Sequence, residues 1–278
     1  MNFACGKFLL NLDRPLVMGI VNLTPDSFSG DGLANDVDRA IAHAQAQIAA
    51  GADILDLGAE STRPGVQPTS LAEELQRLLP VLNALQGCGI PISIDTYKPR
   101  VMEAALAAGA DMINDINGLA DPDALDVVAQ SNCGVCIMHM QDAPPTMQQA
   151  PVYQDVVAEV RRFLAARLKD CRRAGVADER ITLDPGFGFG KTLEHNLALL
   201  RRLPELGVDR LPLLVGVSRK SMLGAITGRP VGERLSASVT AALVAVQRGA
   251  GIVRVHDVAA TRDALAVWSA IEGLKRND

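Results

Sequence analysis

At 278 residues the chain can hold one large domain or two modest ones, and with 48% hydrophobic but only 3% aromatic content its core must be aliphatic. A net charge of −5 argues against nucleic acid as a partner, which selects for a basic face. No apolar run approaches the roughly 20 residues of a membrane span, so no membrane is expected.

Phe8–Leu10 is too short for a signal h-region and is followed by Asp13 and Arg14, so no targeting segment is expected. Leu16–Val21 then reads as a buried strand, and a turn-rich loop leads to a helix with Val37, Ile41, Ala44 and Ile48 on one face. Ile54–Leu57 is the second strand, and Leu71, Leu75, Leu78, Leu79 and Leu82 form a helical stripe. Ile92–Ile94 leads to a helix begun near Pro99, a residue suited to a first turn. Met112–Asn114 precedes a helix near Ala124–Gln130. Val135–Met138 precedes a longer one carrying Val156, Val160, Phe163 and Leu164. Ile181–Leu183 and Leu213–Val215 are the sixth and seventh strands. A helix with Leu235, Val239, Leu243 and Val246, the strand Ile252–Val255 and a helix with Leu265, Trp268 and Ile271 complete the chain.

The strands recur about every 33 residues, the length of one strand-helix unit in a parallel α/β fold. A faint repeat marks the junctions: Ala50-Gly51-Ala52-Asp53, Ala108-Gly109-Ala110-Asp111 and Gly249-Ala250-Gly251 each place glycine where a helix stops. Without a linker or low-complexity stretch, residues 1–278 read as a single domain. Eight units favour a closed (β/α)8 barrel over an open sheet, with the site at the C-terminal ends of the strands.

Those ends are polar: Asn22, Asp56, Asp95, Asn114, His139, Asp184, the run Gly216 to Lys220, and Arg254. Asn22 offers an amide oxygen of the kind Mg2+ accepts, and the loop to Gly32 is either a surface connection or a lid. Arg63 beside Ser61 and Thr62 suits a phosphate or carboxylate, against the plainer reading of a solvated arginine. Asp184 opens a glycine-rich loop that presents Phe189 for stacking on a planar ligand. It is no phosphate loop, because Pro185 stands six residues before Lys191, where glycine is required. Arg219 and Lys220 near a helix start suit an anion, and alternation puts Arg254 and His256 on one side of their strand, two cations for one anion. Asp95, Asn114, Asp184 and Lys220 together match the donors and acceptors on the edge of a flat heterocycle, against the alternative of a salt-bridged barrel interior. His139 is open between a structural part and a wall of the pocket. Five cysteines, an odd number, fit a reducing compartment, and Cys133-Gly-Val-Cys136 reads as structural rather than redox-active.

Over essentially its whole length the chain resembles the dihydropteroate synthase family. The likeness is carried in order by Asn22–Gly32, Glu60–Gly65, Ser93–Thr96, Ile113–Asp115, Met138–Met140, Asp184–Lys191, Ser218–Met222 and Arg254–Asp257. The resemblance implies a (β/α)8 barrel that joins 6-hydroxymethyl-7,8-dihydropterin diphosphate to p-aminobenzoate, giving 7,8-dihydropteroate and diphosphate in folate synthesis. It also implies Mg2+, a homodimer, a cytoplasmic location and inhibition by sulfonamides that mimic p-aminobenzoate. Carried over residue by residue, Asp95, Asn114, Asp184 and Lys220 hold the pterin, and Asn22 touches the metal. Asn22, Thr62, Arg254 and His256 bind the diphosphate, while Thr62, Arg63, Pro64, Phe189, Ser218 and Lys220 border the p-aminobenzoate site. Arg254, His256 and Lys220 are the implied catalytic groups, in an SN1-like displacement that demands no general base.

The chain departs from the family pattern in the first loop, at Ser29-Gly30-Asp31-Gly32, and at Tyr97, where a small residue is common and packing beside the pterin would change. A methyltetrahydrofolate-corrinoid methyltransferase is the nearest rival, but it releases no diphosphate and leaves Ser218 to Lys220 and Arg254 to His256 unexplained. A silent pterin-binding paralogue would lack Asn22, Thr62 or Arg254, and all three are present.

Overall fold

The apolar runs become eight parallel strands hydrogen-bonded in a closed ring. The computed structural model describes residues 1–24, 36–62, 65–142 and 146–273. The chain opens with a hairpin, β1 (Asn2–Cys5) and β2 (Phe8–Asn11). The barrel strands are β3 (Leu16–Asn22), β4 (Ile54–Gly58), β5 (Ile92–Asp95), β6 (Met112–Asp115), β7 (Gly134–Met138), β8 (Ile181–Asp184), β9 (Leu213–Val215) and β10 (Ala250–Val255). They pair in chain order, and β10 closes on β3. Helices α1 (Val37–Ala49), α2 (Leu71–Ala84), α3 (Pro99–Ala107), α4 (Pro122–Ala129), α5 (Val156–Arg173), α6 (Leu193–Arg201), α7 (Ser221–Thr227), α8 (Leu235–Gln247) and α9 (Val258–Ile271) surround them. The fold is the expected (β/α)8 barrel.

Strand alternation sorts the side chains into two cores. Val17, Val21, Leu55, Leu57, Ile92, Ile94, Ile113, Val135, Ile137, Ile181, Leu183 and Val253 point outward and are packed beneath the helices. Leu16, Met18, Ile54, Met112, Cys136, Leu214 and Ile252 point inward and form a separate cluster. Continuing the inward phase by two residues leads from Ile54 to Asp56, from Met112 to Asn114 and from Ile252 to Arg254. The polar strand ends are thus the upper storey of the barrel's own interior.

The hairpin, which the sequence pattern did not reveal, closes the opposite end. Its strands pair antiparallel from Asn2↔Asn11 to Cys5↔Phe8, and Gly6 takes φ +58° in the turn. Phe3 and Cys5 are fully buried against the inner cluster. Gly134 is required there, since a Cβ would stand 2.9 Å from the Phe3 ring.

The junction glycines behave as expected, with φ of +93° at Gly51 and +95° at Gly109 and Gly249. All five cysteines are free thiols, and Cys133 and Cys136 fall in different cores, as a structural reading requires. Helix α6 was not apparent from its apolar pattern; Thr192 and His195 start it with a capping box. At helix ends the stripe loosens, and Ile271 is 77% exposed.

Candidate active site

A cavity of about 340 Å³ opens at the C-terminal mouth of the barrel. Its walls include Asn22, Thr24, Glu60, Ser61, Thr62, Asp95, Met147, Gln148, Phe189, Ser218, Lys220, Ser221, Arg254 and His256. Gly58 and Gly216 also line it, and a Cβ there would come only to ordinary contact with Asp95 and with Arg254. A recess of about 450 Å³ between α5 and the turn that follows α6 is larger, but Arg202 on its wall is already paired with Asp155 and Glu205. The strand mouth is where unspent chemistry collects.

At the cavity floor Arg254 bridges two carboxylates. Its Nε lies 2.5 Å from Asp56 Oδ2 and its Nη2 lies 2.7 Å from Asp95 Oδ2. Asn114 Nδ2 donates to the same Asp56 oxygen at 3.3 Å. Asp56, which had acquired no role from sequence, is therefore the fully buried counter-ion of the central cation. The expected division between a ring-reading set and an anion-holding set is bridged here, because Asp95 and Arg254 hold one another. Asp56 Oδ1, Ser93 Oγ and Asn114 Oδ1 are buried with no hydrogen-bond partner among the described residues. Such groups are costly unless something completes them.

Asp184 and Lys220 flank this centre. Asp184 is buried and accepts from the Gly186 amide at 2.7 Å. Gly186 has φ +70°, and a Cβ there would collide with the His139 carbonyl. The Lys220 ammonium donates to the Phe187 carbonyl and sits 4.6 Å from the centroid of the Phe189 ring. Burial lowers Lys220 to about 8, with Asp184 opposing the shift. Burial likewise raises Asp184, against the pull of Lys220, and raises Asp95 to about 7, against the pull of Arg254. At Arg254 burial disfavours the charge, but Asp56 and Asp95 more than offset it, and the group is pushed up.

His256 meets Ser218 at 2.9 Å from Nδ1 to Oγ, and its carbonyl accepts from Gln47 at 2.9 Å. Arg219, next to Lys220, is engaged by a carboxylate. It adopts a left-handed backbone at φ +57° and pairs with Asp257 at 2.6 Å, which ties the β9 loop to the β10 loop. Lys191 is buried as well. It contacts His139 Nδ1 at 2.9 Å and donates to the carbonyl of Phe189, consistent with rejecting the phosphate-loop reading. His139 packs edge-on against Phe163.

Of the residues singled out from sequence, Asn22, Thr62, Asp95, Phe189, Ser218, Lys220, Arg254 and His256 line the cavity, and Asn114 and Asp184 lie buried against it. Arg63, Pro64 and the first loop from Pro25 to Gly32 lie outside the described residues. Sequence reasoning passed over Glu60, Met147, Gln148 and Ser221 as walls. The Tyr97 hydroxyl donates to Glu60, a wall of the cavity, at 3.1 Å.

Among the described residues no cluster of three His, Cys, Asp or Glu side chains could hold a metal, and no helix is long and apolar enough to cross a membrane. Asn22 contributes one hard oxygen at the mouth. That suits Mg2+, which keeps most of its shell as water and substrate oxygens, and does not suit a dedicated protein cage.

A family model described as pterin binding enzyme matches residues 18–256. The dihydropteroate synthase of Neisseria meningitidis serogroup C is 54% identical over 271 residues, covering 96% of each chain. Among solved structures, Burkholderia cenocepacia dihydropteroate synthase complexed with 7,8-dihydropteroate matches with a TM-score of 0.91 at 54% identity, over 100% of this chain and 98% of that one. Xanthomonas albilineans dihydropteroate synthase with 4-aminobenzoic acid matches with a TM-score of 0.91 at 49% identity, over 99% of both chains. The chain belongs to the pterin-binding enzyme family, within its dihydropteroate synthases.

Proposed function

We propose that the barrel mouth joins 6-hydroxymethyl-7,8-dihydropterin diphosphate to p-aminobenzoate, forming a C–N bond and releasing diphosphate. The observation that carries this reading is Arg254 clasped by Asp56 and Asp95 on the floor of a cavity rimmed by Lys220 and Phe189. The 7,8-dihydropteroate and 4-aminobenzoic acid bound by the two solved relatives support both substrates.

In this reading Asp95, Asn114, Asp184 and Lys220 satisfy the pterin edge, and the unpartnered oxygen of Asn114 accepts from it. Arg254 and His256, with Asn22 and Thr62, hold the diphosphate. Bond breaking to the leaving group comes first, and the charge that develops on it meets cations already in place, so little reorganisation is needed. The exocyclic carbon becomes a cation stabilised by the pterin, and Asp95 and Asp184 lie beside the spreading positive charge. The arylamine nitrogen then attacks with its own lone pair and afterwards sheds a proton, so no residue is required as general base. Thr62, Phe189, Ser218 and Lys220 border the p-aminobenzoate, with Arg63 and Pro64 assigned there by resemblance. Asn22 would hold Mg2+, which when bound would neutralise charge on the diphosphate oxygens.

Residues 1–278 would act as one domain, as a homodimer in the cytoplasm. Exposed Val267 and Ile271 on α9 leave apolar surface that a second copy can cover. The deciding assay is diphosphate release. It should require both substrates, and release with water alone, or none with both present, would overturn the reading.

A further inference from the structure

Behind the p-aminobenzoate side of the cavity lies a second buried charge cluster. The Lys98 ammonium contacts Glu60 Oε2 at 2.7 Å, Glu74 Oε2 at 2.5 Å and the Thr69 carbonyl at 2.7 Å. Glu60 Oε1 in turn accepts from the Thr69 amide at 2.8 Å and from the Tyr97 hydroxyl at 3.1 Å. Thr96 donates to Glu74 at 2.7 Å. The glutamate side chains are 5% and 1% exposed, so these are desolvated contacts, far stronger than surface ion pairs.

The connectivity matters more than the charge. Glu60 and Thr69 are the two ends of the segment that carries Thr62, and Lys98 grips both ends at once. Lys98 stands three residues after Asp95, at the start of α3. One ammonium therefore ties the base of segment 60–69 to the end of β5. Glu74, on α2, fixes that ammonium from below.

We propose that Lys98 is a positioning residue that holds Glu60 and Thr69 together, and so sets the place of Thr62 in the wall against which p-aminobenzoate binds. The proposal rests on assigning Thr62 to that wall. Fixing Thr62 in advance removes a cost that the second substrate would otherwise meet on binding. Asn114 and Asp184, assigned to the pterin, hydrogen-bond to Asp56 and to the Gly186 amide rather than to this cluster.

Glu74→Gln is the reference variant, because it leaves Lys98 and Glu60 as a matched pair. Adding Lys98→Met to it should raise the KM for p-aminobenzoate roughly tenfold, with the KM for the pterin diphosphate within about twofold. Lys98→Arg in the same background should recover part of the loss, since a guanidinium reaches the same acceptors with different geometry. Equal rises for both substrates, or no rise for p-aminobenzoate, would overturn the positioning role. If the double variant does not fold, Glu60→Gln keeps the Lys98–Glu74 pair and must show the same selective rise, alongside faster hydrogen exchange of the Thr69 amide; slow exchange and an unchanged KM would overturn it. Thr62→Ala tests the underlying assignment separately, because an unchanged KM for p-aminobenzoate there rejects the wall itself.

Discussion

The lower and upper halves of the barrel interior are built from the same strands in the same phase, yet they follow opposite physics. Below, Met18, Ile54, Met112, Leu214 and Ile252 meet Phe3 and Cys5 of the hairpin in a dry cluster. Two residues further along, the same positions become Asp56, Asn114, Gly216 and Arg254, and Asp56 Oδ1 and Asn114 Oδ1 are buried there without a partner among the described residues. Packing in the lower half is complete without a ligand. The upper half carries charges whose burial is costly and whose hydrogen bonding is unfinished, which is the condition of a surface made for something else. The contrast teaches that the lower storey supplies stability on which the upper storey draws.

Mutations separate the two halves most sharply at Arg254. Arg254→Ala should lower kcat by roughly 100- to 1,000-fold, while pterin affinity falls much less. Single-turnover diphosphate release compared with calorimetric pterin binding checks this, and equal losses would sink the assignment. In the lower half, Met112→Ala should cost about 2–5 kcal/mol of stability in urea unfolding and leave kcat/KM for both substrates within about twofold. A large kinetic defect there would break the division.

The pH profile tests the upper half alone. Asp95, held up to about 7 by burial, accepts hydrogen bonds as the carboxylate, so kcat/KM for the pterin substrate should rise as pH passes about 7. Lys220, lowered by burial to about 8, loses its positive charge above that value, so the rate should fall there. Asp95→Asn should flatten the acid limb and leave the alkaline one; an unchanged acid limb would remove Asp95 from the titration. Stability runs the other way. The folded state holds the Asp95 proton more tightly than the unfolded chain, so the contribution of Asp95 declines as pH rises from the ordinary carboxylate range to about 7. The smallest effect belongs to the cysteine pair. Burial raises both Cys133 and Cys136, so neither should react with a thiol reagent before unfolding, and Cys133→Ala should leave activity unchanged.

Most of the ring of strand ends was legible because it follows two simple rules, a recurrent strand-helix unit and a period-2 interior. Partnership was not. Asp56 and Arg254 are 198 residues apart, and nothing local to either announces their contact. Arg219 and Lys220 look interchangeable as neighbouring cations. The left-handed backbone at Arg219 sends one to Asp257 and the other to the cavity, and in that turn the Arg219 amide donates to Ser238 while its carbonyl accepts from Arg234. The hairpin escaped notice because two four-residue strands give too short a pattern to distinguish from a disordered start. Tyr97 could be placed next to Asp95 in sequence but not aimed, since its target Glu60 belongs to another loop.

The hairpin has one more consequence. A barrel stoppered by Phe3 at one end has its working doorway at the other, and in the proposed reading both substrates and both products share it. The pterin partners Asn114 and Asp184 are buried, whereas Thr62 and Phe189 stand nearer the rim. Traffic through a single doorway keeps an order. The deep guest enters before the shallow one, and the joined product must leave by the way its second half came in.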